Sequence, residues 1–506
     1  MLTVTDGAKH DWGSMPLKEM AIGNAMDCDF TLRSWKILKS EMKTKGVNFV
    51  YENLLSEVAV LLSAVEFRGI KVDVDYLTEL EVKLKKVIAK EEVELQSLCG
   101  IEGVNPNSSD DMGIALFTEE GFDLNPTEFS AKAKKPAITE AHLTSLSENS
   151  STSTEARTFI TKLLKYKGLS KLYRTYVKGV ESATKYNEEN RIYSSYNFGA
   201  TVTGRLSCSM YSAGPSKKKG VSFHTLPRTV DDDTNIRRLM RADDDKVFIA
   251  ADFGQAELRM LAQCCRDKEL IHAFNSGTDL HKYTASLIYG KSIDKVTKQE
   301  RQVAKSVSFL IVYGGGPFKL ASQIGKSVGY CKNIFKEYQQ AFPKVFDWIN
   351  SVHRSVRDNG YAVSLFGRRR NLSNVNSPIK KYQFRALRQG MNFVIQSSAS
   401  DMMLHAIKRL DERLREENLD AEILATVHDS VEIQCSKSDT KRVLEVVRES
   451  LTDTSYFYDL YKLKFLLPFE VDIEVGKSFG ELMAVEFSDQ NELLQYDEIE
   501  RYIENI

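Results

Sequence analysis

Residues 250–263 read AADFGQAELRMLAQ and continue an apolar run, KVFIA, at 246–250. Val, Phe, Ile and Ala in succession suit a buried strand. Asp252 ends that strand, and Glu257 follows five residues later, where a helix-like pattern starts. A carboxylate carried out of an apolar core needs a partner, because an unpaired buried charge is costly.

A second stretch, AEILATVHDSVEIQC at 421–435, has a strand–turn–strand pattern with Asp429 at its tip. If the two strands are neighbours, Asp252 and Asp429 meet at one edge of a sheet. Facing carboxylates repel and call for cations. Two Mg²⁺ ions about 3.5–4 Å apart would satisfy the pair and suit in-line phosphoryl displacement. Each aspartate alone reads more readily as a helix or turn cap.

Two helical patterns carry further polar stripes. In QERQVAKSVSFLIVYGGG (299–316), Arg301, Lys305, Phe309 and Tyr313 recur every four residues. Two cations followed by two aromatics on one helix face suit a nucleoside triphosphate, phosphates first and then sugar and base. The other reading is an amphipathic helix with aromatic core contacts. In RALRQGMNFVIQSSASDMM (385–403), Arg388, Asn392 and Gln396 form a second four-spaced set. Such donors can meet the minor-groove acceptors shared by all base pairs, or form a solvated face.

With 506 residues, 42% hydrophobic and 27% charged, the chain has the make-up of a globular protein with roughly two to four domains or subdomains. No apolar run approaches the ~18 residues of a membrane helix. The opening MLTVTDGAKHDWGSMP lacks the basic start and apolar core of an export signal. Seven scattered cysteines without CxxC spacing predict reduced thiols in a cytoplasmic setting. A net charge of −1 argues weakly against a polyanion partner. Local basic runs argue for one: Lys217–Lys219, Arg237 with Arg238 and Arg241, Arg368–Arg370, and Lys380 with Lys381, Arg385 and Arg388.

Several segments together resemble the A-family DNA polymerases, the bacterial DNA polymerase I group. DFGQAELR, RQVAKSVSFLIVYG and VHDS resemble that family's motifs A, B and C. TVTGRLS (201–207), GTDLHKYTA (277–285) and SLFGRRRNL (364–372) resemble three further family segments, in the family's order. The similarity runs from about residue 20 to about 487. It implies an α+β right-hand fold with a thumb at 51–190, an antiparallel-sheet palm at 191–258 and 385–487, and helical fingers at 259–384.

The resemblance also implies the roles. Asp252 and Asp429 would bind two Mg²⁺ ions. Lys305, with Arg301 and His281, would hold the triphosphate. Glu257 would be the steric gate that crowds a ribose 2′-hydroxyl. Phe309 and Tyr313 would pack on the sugar, the base and the template side, and Gln255 would assist near the primer. Arg205, Arg388, Asn392, Gln396 and His428 would contact primer-template. The implied activity is template-directed extension of a DNA primer with dNTPs, in the cytoplasm, or the host cytoplasm if the compact form marks a viral replicase. Two alternatives stand beside it. A single-subunit RNA polymerase is disfavoured by Glu257, and a non-catalytic DNA-binding accessory protein by the full set of charged motif residues.

There are departures from the pattern. Ser430 stands where the family usually has Glu after the motif C aspartate, Ser308-Phe309-Leu310 replaces NFG, and FHTLP (223–227) replaces LQNIP. Residues 210–219, MYSAGPSKKK, read as an insertion beside the DNA path. AIGNAMDCDFTLRSWKIL (21–38) resembles the end of a 3′–5′ exonuclease domain, making 1–50 its remnant, with Asp27 matching one metal acid and Gly23 replacing a tyrosine. One such acid cannot hold a metal pair, so no proofreading is expected from this chain alone. The tail, SDQNELLQYDEIERYIENI (488–506), reads as an acidic amphipathic helix capped by Asp489 and Glu492, with Tyr496, Ile499, Ile503 and Ile506 on one stripe. That stripe either packs back on the palm or docks a replication partner such as a processivity factor, a helicase or a separate exonuclease subunit.

Overall fold

The computed structural model describes residues 12–130, 134–185, 188–211, 222–227, 234–488 and 492–505. The Lys217–Lys219 run, and with it most of the expected insertion, lies outside the described residues, as do Asp489 and Ile506.

An exposed helix, α1 (Leu17–Lys45), leads in and carries Gly23 and Asp27. Then come α2 (Ser56–Arg68), β1 (Ile70–Val72), α3 (Val74–Cys99) and α4 (Thr154–Lys171). β2 (Arg191–Asn197), β3 (Ser207–Tyr211), β4 (Met240–Arg241) and β5 (Lys246–Phe253) form the first part of a sheet. A helical stretch follows, including α5 (Ala256–Cys265), α6 (Leu280–Tyr289) and α7 (Lys298–Val312). After a small hairpin of β6 (Tyr361–Val363) and β7 (Arg369–Asn371) runs α8 (Lys380–Glu416). The chain closes with β8 (Ala421–Val427), β9 (Ser430–Ser436), α9 (Thr440–Thr452), β10 (Val471–Ser478), β11 (Glu481–Val485) and α10 (Tyr496–Glu504).

Nine strands join in the order β3-β2-β1-β4-β10-β5-β9-β8, with β11 on the outer side of β10. Every pairing in this sheet is antiparallel. The α+β class expected from the motifs is what forms. Gly69 separates α2 from α3 and opens into β1, which pairs with β2 and β4. Gly69 has φ +66°, and a Cβ there would meet the Ile192 carbonyl at 2.8 Å, so the turn into β1 needs glycine.

β5 is buried, as its unbroken apolar run predicts, and on both faces. Val247, Ile249, Ala251 and Phe253 enter the large core beneath the sheet, shared with α5, α7, α8 and α9. Phe248 and Ala250 enter the core above it, shared with Leu77, Leu80 and Leu84 of α3. Asp252 continues the Phe248–Ala250 row and emerges where that second core ends.

α8 is 37 residues long, about 55 Å at helical rise, and buried along its middle. Its Asp401 is fully buried and paired with Arg368, at 2.5 Å from Nη2 and 3.0 Å from Nε. That pair ties the GRRR segment to the helix.

The tail departs from its expected form at the start. α10 begins only at Tyr496, with Gln495 in the left-handed region at its N-terminus. The residues before it form a bridge, Phe487 to Leu493. Ile499 and Ile503 are each 3% exposed and belong to the large core, and Lys441 of α9 stands 5.2 Å from the Tyr496 ring. The apolar stripe is therefore covered by its own chain, which leaves the docking alternative only the acidic face. Truncating one of these isoleucines, Ile503→Ala, should lower unfolding stability by about 2–4 kcal/mol. Urea unfolding checks this, and a loss below about 0.5 kcal/mol would mean that the tail is not part of the core.

Candidate active site

β5 pairs with β9 so that Asp252 stands opposite Ser430. β8 and β9 are joined by a two-residue loop, His428-Asp429, between the paired Val427 and Ser430. The backbone N–H of Phe253 donates to the Asp429 carbonyl at 3.1 Å. The two aspartates thus stand at neighbouring strand ends and line one cavity of about 590 Å³.

Both corners carry strained backbone. His428 has φ +57° and Gln255 has φ +55°. Non-glycine residues adopt this region only where the surroundings over-determine it. His428 is tied from two sides. Its Nε2 lies 2.9 Å from the His224 carbonyl, and the two imidazole rings are 4.9 Å apart. Thr426 Oγ1 donates to the Ser430 carbonyl at 2.9 Å.

Gln255, Glu257, Phe309, Tyr313, Arg205 and His428 line the same cavity as the aspartates. Glu257, in the first turn of α5, is buried and held from two sides. Arg205 Nη2 donates to its Oε1 at 2.7 Å, and Gln396 Nε2 donates at 3.1 Å. Burial pushes the Glu257 carboxyl up, against the pull of the Arg205 charge. Burial and the Glu257 charge push the Tyr313 phenol up to about 12. Arg205 Nη2 also lies 3.4 Å from each carboxylate oxygen of Asp429. Gly204 makes this placement possible: at φ +80°, a Cβ there would strike Arg368 Cδ at 2.9 Å.

The α7 stripe is real but divided. Phe309 lines the cavity, while Arg301 and Lys305, further back along the helix, and His281 of α6 lie off its wall. Eight residues separate Arg301 from Phe309, about 12 Å along the axis. His281 bridges the gap, with its ring 6.0 Å from Phe309. Burial lowers its pKa to about 4, and the Lys305 and Arg301 charges push the same way. Arg301 is held by Asp279, with Nη2 2.8 Å from its Oδ2. Tyr313, read as the end of the stripe, is instead the first residue past the helix, with φ −89° and ψ 7°. That bend turns its ring toward Glu257.

On α8, Gln396 reaches the site through Glu257. Asn392 Nδ2 donates to the Val312 carbonyl at 3.3 Å. Arg388 is exposed, and its side chain lies against Gly314, where a Cβ would meet it at 3.0 Å. The three residues run along one ridge, from buried Gln396 to exposed Arg388.

Some lining residues escaped sequence reading. Asp472 pairs with Asp252 across β10 and β5, and Glu474 pairs with Ala250. Both line the cavity, with Arg237 beside them. Five carboxylates against two guanidiniums leave an excess of hard oxygen donors. Among the described residues, no group of three or more metal-binding side chains converges as a closed cage. The donor set fits Mg²⁺, which binds through one or two carboxylates and leaves other positions to water and substrate phosphates. The signal for the missed acids was the alternation in FEVDIEVG (469–476), which places Asp472 and Glu474 on one strand face.

The chain is similar to known proteins in sequence and in fold. The sequence model of DNA polymerase family A matches residues 74–481. The thermostable DNA polymerase I of Thermus thermophilus is 30% identical over 451 residues, which cover 89% of this chain and 50% of that protein. The DNA polymerase I of Streptococcus pneumoniae is 29% identical over 419 residues, covering 82% and 45%. Among solved structures, the POL domain of Pol1 from M. smegmatis, in complex with DNA primer-template and dNTP, superposes with a TM-score of 0.76 at 26% identity. That match covers 88% of this chain and 73% of that one. The chain spans about half the length of the curated relatives it matches. Among the described residues, no helix is long and apolar enough to cross a membrane.

His224 gives this site a pH signature. Burial lowers its pKa to about 4, while its hydrogen bond to the Thr426 carbonyl, 3.1 Å from Nε2, pulls upward. The unfolded chain takes up this proton near pH 6.5 and the folded chain only near 4. Its contribution to stability is therefore fully present above about pH 6.5 and is lost as pH falls toward 4. Replacing His224 by Gln should flatten the melting temperature between those limits. A melting profile as steep as wild type would mean that His224 titrates normally.

Proposed function

The chain belongs to DNA polymerase family A, and from that premise we propose that it extends a DNA primer with deoxynucleoside triphosphates on a template strand, in DNA replication. The observation that carries this reading is the meeting of Asp252 and Asp429 on one cavity wall, with the Glu257 network beside them. The two aspartates would hold two Mg²⁺ ions, and such ions polarise the attacking primer hydroxyl and offset charge on the transferring phosphoryl group.

The chain's own residues do the rest. Lys305 and Arg301, with His281 between them and Phe309, would take the triphosphate along α7. Phe309 and Tyr313 would pack on the sugar and the base. Glu257 would exclude a ribose 2′-hydroxyl, and two donors, Arg205 and Gln396, on its Oε1 support that role by anchoring the carboxylate. Gln255, exposed at the corner before α5, would lie near the primer. Arg205, Arg388, Asn392, Gln396 and His428 would contact primer-template, so duplex geometry is checked without reading sequence.

In the same reading, residues 51–190 form the thumb, 191–258 and 385–487 the palm, and 259–384 the fingers. The first 50 residues correspond to the end of an exonuclease segment, and 488–506 to the packed tail. A processivity factor, a helicase or a separate exonuclease subunit are the partners to seek.

Primer extension tests the reading. Asp252→Asn and Asp429→Asn should each cut extension by about 10³-fold or more while primer-template binding persists. Near-normal extension by either variant would overturn the metal assignment. Replacing Glu257 by Ala should raise ribonucleotide over deoxynucleotide incorporation by about tenfold or more, and unchanged sugar selectivity would remove Glu257 from the gate.

A further inference from the structure

β9 carries a further buried carboxyl, that of Glu432. Glu432 is 1% exposed, on the sheet face that also bears Asp252 and Ser430. It stands opposite Ala250, two pairs further from the strand end than Asp252 and Ser430. Its Oε2 is buried with no hydrogen-bond partner in the protein. Its Oε1 lies 2.5 Å from Ser430 Oγ, and the same Oγ lies 3.0 Å from the Val427 carbonyl.

A hydroxyl has one hydrogen and faces two acceptors here. If Ser430 donates to a carboxylate, the bond to Val427 is lost, and the strained His428-Asp429 loop loses its closing clamp. Both contacts are satisfied if the carboxyl brings the second hydrogen. We propose that Glu432 is a positioning residue for the Asp252–Asp429 pair: it donates to Ser430 Oγ, so that Ser430 donates on to the Val427 carbonyl and closes the turn that carries Asp429.

Three observations converge on this relay. The loop is a two-residue connection in which His428 is left-handed, so it needs external ties. Val427 and Ser430 are the pair that flanks the loop, so a bond between them fixes the direction in which Asp429 leaves the strand. The surroundings of Glu432 favour its uncharged form: burial, first, pushes its carboxyl up to about 8, and the Asp252 charge adds to this against the pull of Ser430 and Arg237. An uncharged acid also adds no repulsion to a face already holding Asp252, Asp472 and Glu474. The relay thus replaces charge at position 430 with a neutral hydrogen-bond chain.

This inference rests on the polymerase reading of the site. Three variants test it: Glu432→Ala, which removes the donor; Glu432→Gln, whose amide can still donate; and Ser430→Ala, which removes the middle of the relay. The first readout is Mn²⁺ binding, followed by electron paramagnetic resonance, to the complex with primer-template ending in a 3′-deoxynucleotide and dNTP. The second is the Mg²⁺ concentration that half-saturates extension, with melting temperature as the folding control. Glu432→Ala and Ser430→Ala should each weaken Mn²⁺ binding and raise half-saturating Mg²⁺ by about 3- to 10-fold, the worth of one hydrogen bond. Their double variant should be no worse than either alone, and Glu432→Gln should stay within about twofold of wild type. Unchanged metal binding in Glu432→Ala would overturn the proposal. So would Glu432→Gln as impaired as Glu432→Ala, because the site would then need the charge and not the donor. If wild type itself extends no primer, the polymerase reading fails. If wild type extends and the variants match it, only the relay fails.

Discussion

Two carboxylates at adjacent strand ends cannot stay close and ionised without compensating charge. The pairing of β5 with β9, with Asp252 opposite Ser430, creates that situation. The surroundings answer it in different ways. Arg205 reaches across to Asp429 and Glu257 together. Arg237 faces the β10 acids from the cavity wall. The remaining negative charge is what a pair of divalent cations would balance, and it explains why so acidic a wall occurs in a chain proposed to bind a polyanion.

Holding this arrangement takes long-range ties. The Arg368–Asp401 pair is buried in the middle of the molecule, where its partners must be kept together, since either one alone would be an uncompensated charge. It positions the segment against which Gly204 packs, and Gly204 precedes Arg205. Ser400 Oγ donates to the Gly204 carbonyl at 3.2 Å, adding a second link from α8. One helix therefore supplies Gln396 to Glu257 and also anchors the loop that delivers Arg205 to the same carboxylate. Displacing α8 would disturb both hydrogen bonds at once.

The sequence by itself determined the elements with strong local patterns and the residues at their ends. An unbroken apolar run named β5 and put Asp252 at its end. Alternation around VHDS named the hairpin and put Asp429 at its tip, and four-residue spacing named the polar stripes of α7 and α8. The tertiary structure decided what depends on pairing between distant segments. β1, β3 and β4 are two to five residues long, too short to carry a period, and exist because neighbouring strands complete their hydrogen bonds. Tyr313 fits the helix period, yet the helix ends at it and Gly314, at φ +67°, turns the chain away. Asp472, Glu474 and Glu432 looked like ordinary solvent-side acids of alternating strands. Only the registers of β10 and β9 against β5 place them beside Asp252, because a shift of one residue would turn every one of them to the opposite face.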